Sequence, residues 1–436
     1  RKAGNGYRSV EMSINKRTPD IMKNIGFGPA DILLPKKTDF SKWSVVACDQ
    51  YTSEPEYWEE TAQIVGDAPS ALNLILPEVY LEQDNVSDRI DAIHQTMRQY
   101  LEDGIFEEYP AAYFYVERTL TDGTVRKGII GAVDLEQYDY SAGSRSLIRA
   151  TEGTVLERIP PRMKVRENAQ LELPHIMMLI DDPEKTVIEP LTADKTLFKK
   201  VYDFTLIQNG GHLTGYLLDK QHAEKIEQML TALYDTGVAE SNTPLLFAVG
   251  DGNHSLATAK ACYEKLKADN PDQDWTNSPA RFALAEVVNL HDDSLQFEPI
   301  HRVITEINPD HFLRKMTEFF EISPDDDGVQ TFKYVTGSKM ETVSIMNPTS
   351  NLCVGTLQGY IDIYLSKYGG KADYIHGDDV VMMLASKPNS IGLILPKMEK
   401  SDLFRTIQLD GALPRKTFSM GHANDKRFYL ESRKIK

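Results

Sequence analysis

The chain has 436 residues, 41% hydrophobic and 26% charged, enough for two or three domains with sizeable cores. With 48 Lys and Arg against 65 Asp and Glu, its net charge is −17, which argues against nucleic-acid binding and against anionic membrane surfaces. Three scattered cysteines (Cys48, Cys262 and Cys353), no CxxC pair and no long apolar run argue against a disulfide framework, a Cys-rich zinc site and a membrane span, and point to a reducing cytoplasm.

Residues 1–18 are polar and patternless and read as a flexible N-terminus, with Met12 a candidate natural start. Strands are expected at ILLP (32–35) and WSVVACDQY (43–51), and a helix at PEYWEETAQIVG (55–66) with Pro in its first turn. Residues 85–106 carry Ile90, Ile93, Met97 and Leu101 on one face of an amphipathic helix. Thr121-Asp122-Gly123-Thr124 is a hairpin turn between β-rich runs. An Arg-rich segment (141–169) reads as a loop, HIMMLID (175–181) as a buried strand, and 221–237 as a long helix. ARFALAEVVNL (280–290) and FEPIHRVI (297–304) are β-like. The texture shifts near 306, where a helical stretch, the acidic loop SPDDDG, short strands, the helical GTLQGYIDIYLSKYG (355–369) and the strand SIGLILP (390–396) follow. Hairpins mixed with helical crossovers predict an α+β fold with mixed sheets. The main domain is expected over 19–305 and a smaller α+β domain over 306–436, whose C-terminal segment returns to the site.

LLFAVGDGNHSLATAKAC places an apolar strand directly before a helix of small residues. Such a junction exposes the first-turn amides and the positive end of the helix dipole, a natural seat for phosphate. Gly250 and Gly252 allow close backbone approach, while His254 and Ser255 add side-chain donors. Asp251 or Asn253 acting only as an N-cap, with His254 on the surface, explains the same residues. Neither a Walker loop nor a dinucleotide-binding fingerprint is present.

Residues 144–168 carry Arg145, Arg149, Arg158, Arg162, Lys164 and Arg166 against three glutamates, Glu152, Glu157 and Glu167. In an acidic chain such a cluster suits bidentate contact with phosphate or carboxylate. A solvated loop pairing its own charges is the plainer alternative. His301 and Arg302 interrupt an apolar β-like run, as a structural ion pair or as a site lining. Near the C-terminus Arg415, Lys416, Thr417 and Ser419 offer phosphate donors. HDD (291–293) and HGDD (376–379) lack metal-site spacing, and no G-x-S-x-G is present.

VGDGNHSLATA resembles the ADGHHRYxTA motif of the family catalogued as domain of unknown function 1015. RATEGT (149–154) is similar to that family's R-P-H-E-x-T, and Arg166 falls near its following Asp-Arg. FEPIHR is similar to its Pro-Thr-His-Arg, YIHGDD to its Tyr-Val-His-Asp, and LPRKTFSM to its M-P-x-K-S-T-x-F. The motifs keep their order over most of the chain. The DGHHR element also resembles one in free-serine kinases, ParB-type CTP-binding proteins and sulfiredoxins, where it opens a helix contacting nucleotide phosphates. That resemblance implies a ParB/sulfiredoxin-like core. Asp251, Gly252 and His254 match the motif's Asp, Gly and second His. Asn253 replaces its first His and Ser255 its Arg, so the missing guanidinium has to come from Arg149, Arg162 or Arg166.

The expectation is therefore a nucleotide- or phosphometabolite-binding protein, with a small-molecule kinase as the enzyme reading. Asp251, His254 and Glu152 are the candidate catalytic residues. His254 would contact the transferring phosphoryl group, and Asp251 or Glu152 would serve as base or as ligand to a nucleotide-bound Mg²⁺. Gly252, Asn253, His254, Ser255, Arg149, Arg162, Arg166 and Lys416 are the candidate phosphate contacts, and His301 and Arg302 the candidate substrate lining. A non-catalytic metabolite sensor using the same anion pocket is the alternative.

Overall fold

The computed structural model describes residues 25–324 and 329–436. The expected flexible N-terminus and most of the acidic loop lie outside the described residues. The fold is α+β with mixed sheets. A ten-stranded sheet runs Lys199–Thr205, His212–Leu217, Phe114–Thr119, Val125–Asp134, Phe282–Asn289, Met177–Ile180, Phe247–Asp251, Ile148–Ala150 and Tyr138–Asp139, with Phe27–Gly28 pairing Val125–Asp134 to one side. The first five strands form an antiparallel array. Parallel pairing enters at Phe282–Asn289 with Met177–Ile180 and at Phe247–Asp251 with Ile148–Ala150.

The period-2 alternation of side chains assigns the two faces of this sheet. Met178, Phe247, Val249, Ala285 and Val287 pack with Leu230, Leu256 and Tyr263 from the helices Lys220–Glu240 and Asn253–Asp269. Met177, Leu179, Ala248 and Val288 face the other way, into a core shared with the second part of the molecule. These strands are covered on both sides, so they read as continuous apolar runs. The amphipathic helix Val86–Glu102 buries Ile90, Ile93 and Met97 in a third core that also holds Trp43, Trp58, Phe114 and Phe428.

Two expected elements come out differently. WSVVACDQY is not a strand: Trp43 ends the short helix Phe40–Trp43, and the extended residues after it make a single bridge, Val46 to Phe428. FEPIHRVI is two strands in two sheets. Phe297–Pro299 pairs with Phe418–Met420, whereas His301–Thr305 joins a six-stranded sheet with Lys371–Ile375 and Ser390–Ile394 as neighbours. Residues 424–436 return to the large sheet. Arg427 is buried between Glu286 (2.9 Å) and Glu431 (2.8 Å), and Arg433 meets Glu172 at 2.8 Å. Buried charges survive only when paired, and these pairs pin the C-terminal segment beside the motif turn.

Candidate functional site

The strand Phe247–Asp251 ends at Gly252, which takes φ +78 and ψ 27 and launches the 17-residue helix Asn253–Asp269. A Cβ at Gly252 would lie 3.0 Å from Ile176 Cα, and one at Gly250 would lie 2.9 Å from Leu179 Cγ. Both glycines are therefore explained by packing, and Gly252 also by its left-handed backbone. The Gly252 N–H donates to Asp251 Oδ1 at 3.0 Å. The first intrahelical bond is Leu256 N to Gly252 O, and no side chain caps the helix. The amides of Asn253, His254 and Ser255 thus form the open first turn that an anion would need, one residue shorter than the expected 252–255 set.

Around that turn the fold gathers carboxylates and lysines from distant parts of the chain. Lys426 Nζ lies 3.3 Å from Asp251 Oδ2 and is within electrostatic reach of Asp49 and Glu152. Glu152 is held beside the turn by the strand Ile148–Ala150 before it and by a parallel bridge to Leu413. Burial raises the Glu152 carboxyl above the usual range, while Lys416 and Lys426 pull it down and Asp251 pushes it up. Burial opposes ionisation of Asp49 as well, yet His175, the Gln50 amide and Lys426 hold its carboxyl below the ordinary value.

The side chains of the motif itself are held by specific partners. Asn253 Nδ2 donates to Thr151 Oγ1 at 3.3 Å, and Thr151 donates to Val249 O at 2.7 Å. Asn253 Oδ1 is buried without a hydrogen-bond partner. His254 Nε2 faces the Val155 N–H at 3.4 Å, which puts the ring proton on Nδ1. Burial, and then Arg162 and Arg158, lower the His254 pKa and keep the ring neutral near pH 7. Ser255 Oγ lies 2.7 Å from His175 Nε2, His175 Nδ1 lies 2.8 Å from Tyr429 OH, and Tyr429 OH accepts from the Cys48 N–H at 3.0 Å.

The Arg-rich segment is a loop only in part. Residues Ile159–Arg166 form a helix that packs along the motif helix, with its prolines in the first turn, where the missing N–H costs nothing. Arg162 pairs with Glu78, and Arg166 with Glu172 at 2.6 Å. Arg162 is within electrostatic reach of His254, whereas Arg166 lies further along the motif helix, near Cys262, and shares Glu172 with Arg433. Arg149 is not brought to the turn. Its guanidinium donates to the carbonyls of Ser146 (2.7 Å), Thr243 (2.9 Å) and Pro244 (3.3 Å), at the entry to the strand whose far end carries the turn.

His301 and Arg302 sit in the second sheet. His301 Nδ1 accepts from the Leu395 N–H at 3.1 Å, and Nε2 lies 2.9 Å from Asp378 Oδ1. Arg302 is fully buried and donates to Gln358 Oε1 (3.0 Å) and to the carbonyls of Ile300, Lys416 (2.9 Å) and Arg415 (2.9 Å). It therefore holds the backbone that carries Lys416 and does not itself line the site. Lys416 has a left-handed φ of 55 and places its charge beside Glu152.

Asp49, His175, Lys426 and Tyr429 escape a sequence reading because their segments carry no motif. The one available signal was a His at the head of the apolar run HIMMLID, at the same sheet end as the motif turn. Among the described residues no group of three or more His, Cys, Asp or Glu could hold a metal ion, and no helix is long and apolar enough to cross a membrane.

A family model described as a protein of unknown function, DUF1015, matches residues 29–366. The chain belongs to the DUF1015 family. No curated protein matches this DUF1015 chain in sequence. Among solved structures it is similar to a free serine kinase variant in complex with ADP, at 9% identity and a TM-score of 0.37, covering 70% of this chain and 91% of that one. A conserved hypothetical protein from Pyrococcus furiosus is similar at 9% identity and a TM-score of 0.34, covering 67% and 90%. C-terminally truncated SbnI from Staphylococcus aureus is similar at 9% identity and a TM-score of 0.33, covering 67% and 82%.

Proposed function

We propose that this DUF1015 protein is a cytoplasmic small-molecule phosphotransferase that seats the phosphate of a nucleotide or phosphorylated metabolite on the amides of Asn253, His254 and Ser255. The observation that carries the reading is the uncapped start of the helix Asn253–Asp269, with Lys426 on Asp251 and Lys416 within electrostatic reach of Glu152. Phosphoryl transfer asks mainly for positioning and charge neutralisation. The amides and the helix dipole supply the first, and the two lysines the second.

Neutral His254 donates from Nδ1 to a phosphate oxygen. Glu152, whose carboxyl is raised by burial, is the base for an acceptor hydroxyl. Asp251 is occupied by the Gly252 N–H and Lys426, so its first task is to shape the turn. The unpartnered Asn253 Oδ1 calls for a donor on the ligand, such as a hydroxyl or an amine. With Glu152 as base, Asp251 would be the carboxylate offered to a nucleotide-bound Mg²⁺, which takes one or two carboxylates together with phosphate oxygens. The ion would neutralise phosphate charge when bound.

Thermal unfolding in the presence of ATP, ADP, CTP or pyrophosphate, each with Mg²⁺, tests the reading. A rise of several degrees with at least one of them at millimolar concentration is expected. No rise with any of them contradicts it. Binding without turnover of any hydroxylated acceptor would assign the same pocket to a metabolite sensor.

A further inference from the structure

A half-open cavity of about 140 Å³ lies beside the motif helix, lined by it, the helix Ile159–Arg166 and the segments around 74–81 and 171–176. Its apolar wall includes Leu74, Ile75, Leu76, Met97, Leu171 and Leu284, all buried. Four charged residues line it: Arg162 pairs with Glu78, and Arg166 shares Glu172 with Arg433. Each guanidinium on the wall already has a carboxylate partner. The size is close to that of an engineered apolar cavity of about 150 Å³ that binds benzene.

Ser255, His175 and Tyr429 line the same cavity, so it begins where the open helix turn ends. Tyr429 OH accepts from the Cys48 N–H and meets His175 Nδ1, and His175 Nε2 meets Ser255 Oγ. The junction between turn and cavity is thus lined by hydrogen-bonding groups, with apolar space behind it.

We propose that this cavity takes the uncharged, apolar body of the ligand, a benzene-sized ring or branched aliphatic group attached to the phosphate held by Asn253–Ser255. The inference rests on the phosphate reading above and narrows its substrate class to amphiphilic phosphate esters. Calorimetric titration of the full chain with inorganic phosphate, phenyl phosphate and benzene separates the two ideas. Phenyl phosphate is expected to bind about ten- to a hundredfold tighter than inorganic phosphate, the scale set by burying one apolar ring.

Ala169, buried on the cavity wall, supplies the control. Ala169→Leu fills the space and should remove the phenyl advantage while leaving phosphate affinity within about twofold. Leu284→Phe serves the same purpose if that variant does not fold. Equal affinity for phosphate and phenyl phosphate overturns the proposal, as does a phenyl advantage that survives the filled cavity. Benzene binding that is lost in Ala169→Leu, with no phosphate binding at all, sinks the phosphate reading and keeps the apolar site.

Discussion

Arg302 and the turn at 251–255 both place polar groups within apolar surroundings, and they use them in opposite ways. At Arg302 four of the five guanidinium N–H groups are consumed by the Gln358 side chain and three backbone carbonyls, and the whole group is buried away from any ligand. At the turn, Asp251, Asn253, His254 and Ser255 are held by specific partners, yet the amides of Asn253, His254 and Ser255 stay open. A buried cation in an apolar run is thus the weaker sign of a binding site, and an uncapped helix start beside two lysines is the stronger one. Arg149 belongs with Arg302, although it is only about a hundred residues from the motif and was grouped with it by charge.

The largest effect expected from this contrast is at Arg302. Arg302→Ala leaves buried carbonyls unsatisfied and should lower stability by about 4 kcal/mol in urea unfolding. Phosphate affinity would fall only through the loosened Lys416 backbone. Gly252→Ala comes next, because its left-handed φ and the Ile176 backbone both resist a Cβ. A loss of about 2–3 kcal/mol is expected, together with loss of anion binding, since the amides would tilt. A Gly252→Ala protein with unchanged affinity would mean that the turn does not hold the ligand.

The sharpest pair is Arg149→Met against Lys426→Met. The first should cost about 2–3 kcal/mol of stability and leave phosphate affinity within about twofold. The second should cost about 1–2 kcal/mol of stability, because it strips the partly buried Asp251 of its cation, and weaken phosphate binding roughly tenfold. Affinity measured by calorimetry and stability measured by urea melts should therefore rank the two variants in opposite order.

The smallest effect concerns His254. Its folded pKa lies below 6.5, lowered by burial and by Arg162 and Arg158. Between the folded value and 6.5 the unfolded chain binds more protons, so stability rises with pH through that window. The contribution is complete above 6.5 and is lost as pH falls through the folded value. His254→Gln should flatten the stability profile below pH 6.5, whereas an unchanged slope there would show that the ring is not shielded.

Much of the fold was legible because its strands and helices are strongly patterned. The helix at 86–102, the strand Phe282–Asn289 and the strand-to-helix junction at 247–269 follow directly from apolar periodicity. Pro160-Pro161 misled the reading of the Arg-rich segment, because a proline pair reads as a breaker unless it falls in a helix's first turn. FEPIHRVI looked continuous because Ile300, which separates its two strands, is itself apolar and buried. Asp251, Gly252, His254 and Ser255 were visible as a motif, and Glu152 and Lys416 do converge on it. Asp49, His175, Lys426 and Tyr429 were invisible, because only the return of residues 424–436 and the packing of the 44–50 segment bring them to the turn.

The most direct measurement is a backbone amide NMR titration of the full chain with ADP and Mg²⁺, following the signals of Asn253, His254 and Ser255. Saturable downfield shifts at these three amides, absent in Gly252→Ala, are the predicted result. Saturable binding with shifts confined to other parts of the protein, and none at residues 253–255, would contradict the account.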